Sequence, residues 1–218
     1  MIDLSVLIPG LLKHLLWVLP VFLLLAILKS PRVKGWFGEM LVSRKAASQL
    51  PASAYHAFNN VTIPDGEGTT QIDHIYVSRF GLFVVETKHL SGWIFGQEHQ
   101  PQWTQRIYRK KTRFQNPIRQ NFKHLKALEN LLHVSPSMLH SVIVLTGNAE
   151  IKTSLPEYVC TLSNFTRYIT SFTVPVLTES EVQDICAQIE NERLTADQAT
   201  HHAHVQHLRN THRTSQKP

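Results

Sequence analysis

The stretch "TQIDHIYVSRFGLFVVETKH", residues Thr70 to His89, decides the fold and most of the chemistry predicted from this chain. Two apolar runs flank the turn residues "RFG", which predicts a pair of antiparallel strands. The second run ends abruptly in Glu86, Thr87 and Lys88. Because a strand rises about 3.3 Å per residue and its side chains alternate, Glu86 and Lys88 share one face about 7 Å apart. They could serve one site, although an ion pair at the end of a buried strand is the simpler interpretation.

The first strand of this pair carries an acidic residue in an unusual place. Asp73 lies among branched apolar residues, although Asp is depleted from sheets and is costly to bury unpaired. Two converging carboxylates, Asp73 and Glu86, repel each other unless they surround a hard divalent cation. Lys88 could then orient a water molecule or stabilise the charge of a phosphorane. The pattern therefore favours a metal-dependent reaction at a phosphate over a simple ion pair.

Helical and strand patterns alternate outside this stretch. A helix is predicted from about residue 34 to residue 50, followed by a strand at residues 54–63. The apolar stripe predicted for that helix consists of Trp36, Phe37, Met40 and Leu41. A short strand pair is predicted around "WIFGQ" and "QWTQRIY", and Asn116 and Pro117 begin another helix as its N-cap and first residue. With the buried strand "HSVIVLTG" and the helix "TESEVQDICAQIENE", this order predicts an α/β fold, a mixed central sheet flanked by helices.

Composition narrows the possible partners. The 218 residues, 43% of them hydrophobic, suffice for one medium-sized domain with a core. A formal net charge of +6 favours an anionic partner, such as nucleic acid or a phospholipid surface. The two cysteines, Cys160 and Cys186, lie far apart and lack the spacing of metal ligands. This argues against both a disulfide scaffold and a zinc ribbon.

The beginning of the chain predicts a membrane anchor. From Leu11 to Leu28 the residues are nearly all apolar, and as a helix they would span about 27 Å, close to the thickness of a bilayer core. Basic residues mostly follow this run, which predicts that the C-terminal domain lies in the cytoplasm. A buried amphipathic helix interrupted by Pro20 is the alternative. The predicted organisation is a transmembrane helix at residues 1–30, a domain at residues 31–192 and a polar, His-rich tail at residues 193–218.

A basic stretch predicts where an anionic partner binds. Between Gln100 and Leu128 there are eight Lys or Arg and no Asp or Glu, interleaved with aromatic residues. Such a stretch can follow a phosphate backbone while aromatic rings stack on bases. The candidate nucleic-acid-binding residues are Arg106, Arg109, Lys110, Lys111, Arg113, Arg119 and Lys123. A solvated basic face, or attachment to anionic lipid beside the anchor, would give the same pattern.

Three segments, "GWFGEMLV", "TQIDHIYVSRFGLFVVETKHLSGWIFG" and "QNPIRQN", resemble a known family. They are similar to the nuclease-related domain, NERD, of the PD-(D/E)xK restriction-endonuclease-like superfamily, over about residues 34–132. The resemblance implies a restriction-endonuclease-like sheet, Asp73 and Glu86 as ligands of Mg²⁺ or Mn²⁺, and Lys88 as the catalytic lysine. It also implies that Glu39, the acidic residue of the first helix, and Gln120 line the same site.

The function implied by the resemblance is phosphodiester hydrolysis. Together with the predicted anchor, it gives a membrane-anchored, cytoplasm-facing nuclease that uses a divalent metal and acts on nucleic acid, with DNA favoured over RNA. The alternative is a non-catalytic module of the same fold that binds nucleic acid or is tethered to the membrane. Retention of Glu39, Asp73, Glu86 and Lys88 favours the enzyme.

Overall fold

The computed structural model describes residues 17–66 and 68–194. The strands in this part of the chain are β1 (His56–Asp65), β2 (Gly68–Ser78), β3 (Gly81–His89), β4 (Gly92–Phe95), β5 (Gln102–Ile107), β6 (Lys110–Gln115), β7 (Leu139–Thr146), β8 (Ala149–Ile151) and β9 (Val159–Thr161). The helices with described bounds are α1 (Pro31–Gln49), α2 (Pro117–Leu132), α3 (Phe165–Thr170) and α4 (Glu179–Glu192), with a short 3-10 helix at Pro136–Met138. The chain divides into two units between Phe37 and Gly38, and the sheets belong to the second.

A five-stranded mixed sheet, in the order β1-β2-β3-β7-β9, forms the centre of this second unit. The β1–β2 and β2–β3 pairs are antiparallel, whereas β3 pairs with β7, and β7 with β9, in parallel. The first seven residues of β3 are all buried, because helices cover both faces of the sheet. This explains its continuous apolar sequence and confirms the predicted mixed sheet flanked by helices.

Alternate residues of β3 face different helical layers. Leu82 and Val84 belong to a core cluster with residues of α2 and α4, among them Leu128 and Ile185. Phe83 and Val85 belong to another cluster, with residues of α1 and α3. Because side chains in a strand alternate, Glu86 and Lys88 lie on the α2 side of the sheet.

A second, four-stranded sheet in the order β6-β5-β4-β8 was not predicted as a separate layer. The strand pair β4–β5 is present as predicted, but β6 extends it and β8 joins it on the other side. The sequence of β6, "KKTRFQ", is mostly exposed and basic, so it lacks the apolar alternation that marks a half-buried strand. Ile94 and Trp103 bury the inner face of this sheet against a cluster that includes Ile143 and Leu145.

Helix α1 does not pack through the predicted stripe. Its buried residues are Gly38, Val42 and Ala46, spaced four apart, while Trp36 is 62% exposed. A Cβ added to Gly38 would lie 2.7 Å from Thr146 Oγ1, so only glycine allows this approach of the helix to β7. Small residues, and not the largest apolar ones, therefore mark the buried face of α1.

The predicted single-pass membrane location is wrong. Across residues 17–66 and 68–194, the structure contains no helix that is both long and apolar enough to cross a membrane. The described part of the predicted anchor is helical over residues 17–28. Residues 1–16 of the predicted anchor and residues 195–218 of the predicted tail lie outside the described residues.

Asn116 caps α2 as predicted and also holds the preceding loop. It is fully buried, and its Oδ1 accepts a hydrogen bond of 2.9 Å from the Ile118 backbone N–H. Its Nδ2 lies within hydrogen-bonding distance of three backbone carbonyl oxygens, those of Gln97, Glu98 and Gln100, at 3.2, 2.8 and 2.7 Å. One side chain therefore joins the β4–β5 connection to the start of the helix that faces Glu86 and Lys88.

Replacing Asn116 with Ala should lower the free energy of unfolding by about 3 kcal/mol, because it removes a cap and the hydrogen bonds to three backbone carbonyls. The matched control is Thr178→Ala at the exposed N-cap of α4, where loss of the cap alone should cost about 1 kcal/mol. Urea denaturation measures both. Equal losses in the two variants would contradict the role of Asn116 in holding the loop.

Candidate active site

An ion pair between a buried carboxylate and a partly exposed ammonium lies at the end of β3. Glu86 is 1% exposed, and its Oε1 lies 2.6 Å from Lys88 Nζ. Lys88 Nζ also donates a hydrogen bond of 3.0 Å to Gln120 Oε1 on α2. The strand spacing thus brings the two charged side chains together, as predicted, and the helix supplies a third polar group.

His124 completes the surroundings of Glu86 and was missed by the sequence analysis. Its Nε2 lies 3.2 Å from Glu86 Oε2, and its Nδ1 lies 2.9 Å from Thr70 Oγ1. Because His124 follows Gln120 by four residues, the two side chains share one face of α2. Three polar residues, Gln120, Asn121 and His124, on the sheet-facing side of α2 are the signal that could have revealed it.

These contacts keep both members of the ion pair charged. Burial raises the pKa of Glu86, but Lys88 and His124 outweigh it, so the pKa of this carboxyl is lower than its ordinary value. Burial lowers the pKa of Lys88, but the carboxylates of Glu86, Asp73 and Glu39 outweigh that effect and raise it. The site therefore holds a carboxylate and an ammonium at neutral pH.

Asp73 and Glu39 interact electrostatically with Glu86 and Lys88. Asp73 Oδ2 accepts a hydrogen bond of 2.7 Å from the Thr87 backbone N–H. Even so, burial and the charges of Glu86 and Glu39 raise the pKa of Asp73 well above its ordinary value. Burial and Glu86 also raise the pKa of Glu39. The charge of Glu86 thus acts on both Asp73 and Glu39.

The chemistry of this donor set fits a hard divalent cation. Within the described residues, no three or more His, Cys, Asp or Glu side chains form a cluster able to hold a metal ion. Mg²⁺, however, is commonly held by only one or two carboxylates, with water and substrate phosphate completing its coordination. The pair Asp73 and Glu86 meets that requirement, and the pKa of Asp73 is raised first by burial and then by the charges of Glu86 and Glu39, which a dication would neutralise.

Comparisons with known proteins identify the family of this chain. The family model described as the nuclease-related domain, NERD, matches residues 34–146, which include Glu39, Asp73, Glu86, Lys88 and Gln120. The chain belongs to the NERD family. It is also 40% identical over 187 residues to an uncharacterized protein of Bacillus anthracis, a match that covers 83% of this chain and 86% of that protein. No solved structure matches the chain significantly.

Membership of the NERD family places the chain in the restriction-endonuclease-like superfamily. Three polar residues of the segment "QNPIRQN" make structural hydrogen bonds. Asn116 caps α2, Gln120 binds Lys88, and Asn121 Nδ2 donates hydrogen bonds of 2.8 Å to Val84 O and Ser141 Oγ. Asn121 thereby fixes α2 against β3 and β7, so the helix that carries Gln120 and His124 is tied to the strand that carries Glu86 and Lys88.

The predicted nucleic-acid-binding residues of this NERD chain separate into distinct groups. Arg106, Lys111 and Arg113 line one pocket beside the second sheet. Arg109 lies in the turn between β5 and β6, and Lys110 pairs with Ile107 at the end of the hairpin. Arg119 and Lys123 are exposed on α2, the helix that also carries Gln120 and His124. The basic stretch is therefore not one continuous face.

Asp73 and Glu86 lie in different environments. Replacing each with its amide should therefore change the stability of the metal-free protein in opposite directions. Asp73→Asn should raise the free energy of unfolding by about 1 kcal/mol, because the amide oxygen can still accept from the Thr87 N–H while the repulsion disappears. Glu86→Gln should lower it by about 2 kcal/mol, because Lys88 loses its charged partner. Urea denaturation in the presence of a chelator measures both values. Destabilisation by Asp73→Asn of the same size as by Glu86→Gln would contradict this account.

Proposed function

We propose that this NERD chain is a divalent-metal-dependent nuclease that hydrolyses phosphodiester bonds of nucleic acid, with DNA as the favoured substrate. The observation that carries the proposal is the position of the Lys88 ammonium, held by Glu86 and Gln120 beside two further carboxylates. The nuclease-related family supports the same reaction class. A purely structural ion pair would not require Asp73 and Glu39 beside it.

Lys88 supplies positive charge where a phosphate would react. Two of the three hydrogens of its ammonium are accounted for by Glu86 Oε1 and Gln120 Oε1, which leaves one to donate to a phosphate oxygen or to a water molecule. Gln120 and Glu86 fix its direction in advance, so the charge needs little rearrangement when negative charge develops on the phosphate. Lys88 is therefore the proposed catalytic lysine, and Gln120 is proposed to position it.

The carboxylates have two proposed roles. Asp73 and Glu86 would hold Mg²⁺ or Mn²⁺, which when bound supplies an activated water and neutralises phosphate charge. The Thr87 N–H fixes the carboxylate of Asp73, and His124 fixes that of Glu86. Such contacts orient carboxylates before a ligand arrives. Glu39 interacts electrostatically with Glu86 and Lys88.

Cleavage assays with labelled single- and double-stranded DNA and RNA, in Mg²⁺, Mn²⁺ or chelator, test the proposal. Wild-type protein should cleave only with metal, and Lys88→Ala should reduce the rate at least about a hundredfold. In calorimetric titrations, Lys88→Ala should still bind Mn²⁺, whereas Asp73→Asn should lose both binding and cleavage. Glu39→Ala and Gln120→Ala should have smaller effects on cleavage.

The matched control for Lys88→Ala is Lys126→Ala on α2. Lys126 forms an exposed pair with Glu129, so its removal should leave the rate unchanged. If wild-type protein binds nucleic acid but neither binds Mn²⁺ nor cleaves any of the four substrates, the chain is a non-catalytic binding module of the same fold. Metal-independent cleavage, or full activity of Lys88→Ala, would refute the assigned chemistry.

A further inference from the structure

The second sheet has an outer face that no catalytic residue uses. Strand register places Trp93 beside Arg106, and Phe95 beside Thr104. Arg106 in turn lies beside Lys111, and Thr104 beside Arg113. Because directly paired residues point to the same side of a sheet, all six share one face. We call this the basic–aromatic face, and its members are Trp93, Phe95, Thr104, Arg106, Lys111 and Arg113.

This face combines accessible rings with positive charge. Trp93 is 45% exposed and Phe95 is 36% exposed, whereas Ile94 between them is buried on the opposite side. The Arg106 guanidinium carbon lies 5.6 Å from the centroid of the Trp93 ring, and Lys152 Nζ lies 5.0 Å from it. Glu150, which pairs with Trp93 in register, forms an ion pair with Lys152. The cations therefore outnumber the carboxylates around the rings.

A pocket of about 720 Å³ opens on this face. Its lining contains three cationic side chains and no carboxylate, and the lining residues are Phe95, Thr104, Arg106, Lys111 and Arg113. A protein core would exclude such a set of like charges, and a small apolar ligand would not need them. Charge complementarity thus favours a polyanion, and the neighbouring rings favour a polyanion with flat aromatic groups.

We propose that the basic–aromatic face binds single-stranded nucleic acid, with bases stacked on Trp93 and Phe95 and phosphates paired with Arg106, Lys111 and Arg113. Base stacking on aromatic side chains tolerates any sequence, since every base has a π face. In a duplex those faces are already stacked within the helix and cannot reach the rings. The inference rests on the proposed function, because it specifies that the substrate of the proposed nuclease is single-stranded.

Chain connectivity brings this face close to Lys88. Trp93 follows Lys88 by five residues, and five residues span at most about 18 Å even when fully extended. Strand β6, which contributes Lys111 and Arg113 to the face, ends at Gln115. The next residue, Asn116, caps the helix that carries Gln120. One bound strand can therefore contact both the face and the candidate active site.

Fluorescence anisotropy with a labelled oligonucleotide of about twelve nucleotides, in chelator to prevent cleavage, tests the stacking. Wild-type protein should bind single-stranded DNA or RNA more tightly than the duplex of the same sequence. Trp93→Ala should weaken single-strand binding at least about fivefold, and Trp93→Phe should retain most of it because the ring is kept. Equal binding by Trp93→Ala and wild type would overturn the proposal, as would a preference for duplex.

Two adjacent lysines of β6 provide a matched pair of substitutions that measures how much charge contributes to single-strand binding. Lys111 belongs to the basic–aromatic face, whereas Lys110 alternates to the other side of the same strand. Lys111→Ala should weaken single-strand binding and reduce the slope of log affinity against log salt by about 0.7, while Lys110→Ala changes both much less. Identical effects of the two substitutions would indicate non-specific charge attraction and overturn the proposed face.

Failure of this inference can be distinguished from failure of the proposed nuclease. Single-strand binding that depends on Trp93 and Lys111, without metal-dependent cleavage, would support the face and refute the enzyme. Metal-dependent cleavage with binding unaffected by Trp93→Ala would refute the face alone. If Lys111→Ala reduces binding to vesicles containing phosphatidylserine but not to oligonucleotides, the face recognises lipid and the proposal is wrong.

Discussion

The need to pair the buried carboxylate of Glu86 constrains the rest of the structure. An isolated charge at 1% exposure would be prohibitively costly, so both of its oxygens need partners. Lys88, on the same strand, forms an ion pair with Oε1 of Glu86. His124, on α2, lies within hydrogen-bonding distance of Oε2. The second contact requires α2 to lie directly over the end of β3. Asn121 satisfies that requirement by holding the helix to Val84.

Two carboxyl groups on neighbouring strands consequently have different properties. Glu86 has charged and polar partners and a lowered pKa, whereas Asp73 has one backbone donor and a raised pKa. A fold selected for stability alone would not retain Asp73 next to Glu86 in this setting. Residues that oppose stability in this way are common at functional sites, which is why the repulsion itself supports the proposed metal-dependent chemistry.

Much of the central sheet and the candidate site could be predicted because the decisive signals are local. Alternation places Glu86 and Lys88 on one face, and Asn116 and Pro117 mark the start of α2. His124 was missed because its contact with Glu86 depends on how a helix packs on a distant strand. The strand β6 was missed because its exposed, basic residues conceal its pairing with β5. The membrane location predicted from the apolar composition of residues 11–28 was wrong, because no helix in the described residues is both long and apolar enough to cross a membrane.

The most direct test of the central claim is a crystal structure of the protein with Mn²⁺, using anomalous scattering to locate the ion. The account predicts a peak between the carboxylates of Asp73 and Glu86, with Lys88 retained beside them, and predicts its loss in Asp73→Asn. Mn²⁺ bound elsewhere in the molecule, with no peak at these two carboxylates, would contradict the assignment of this site as a metal-dependent catalytic centre.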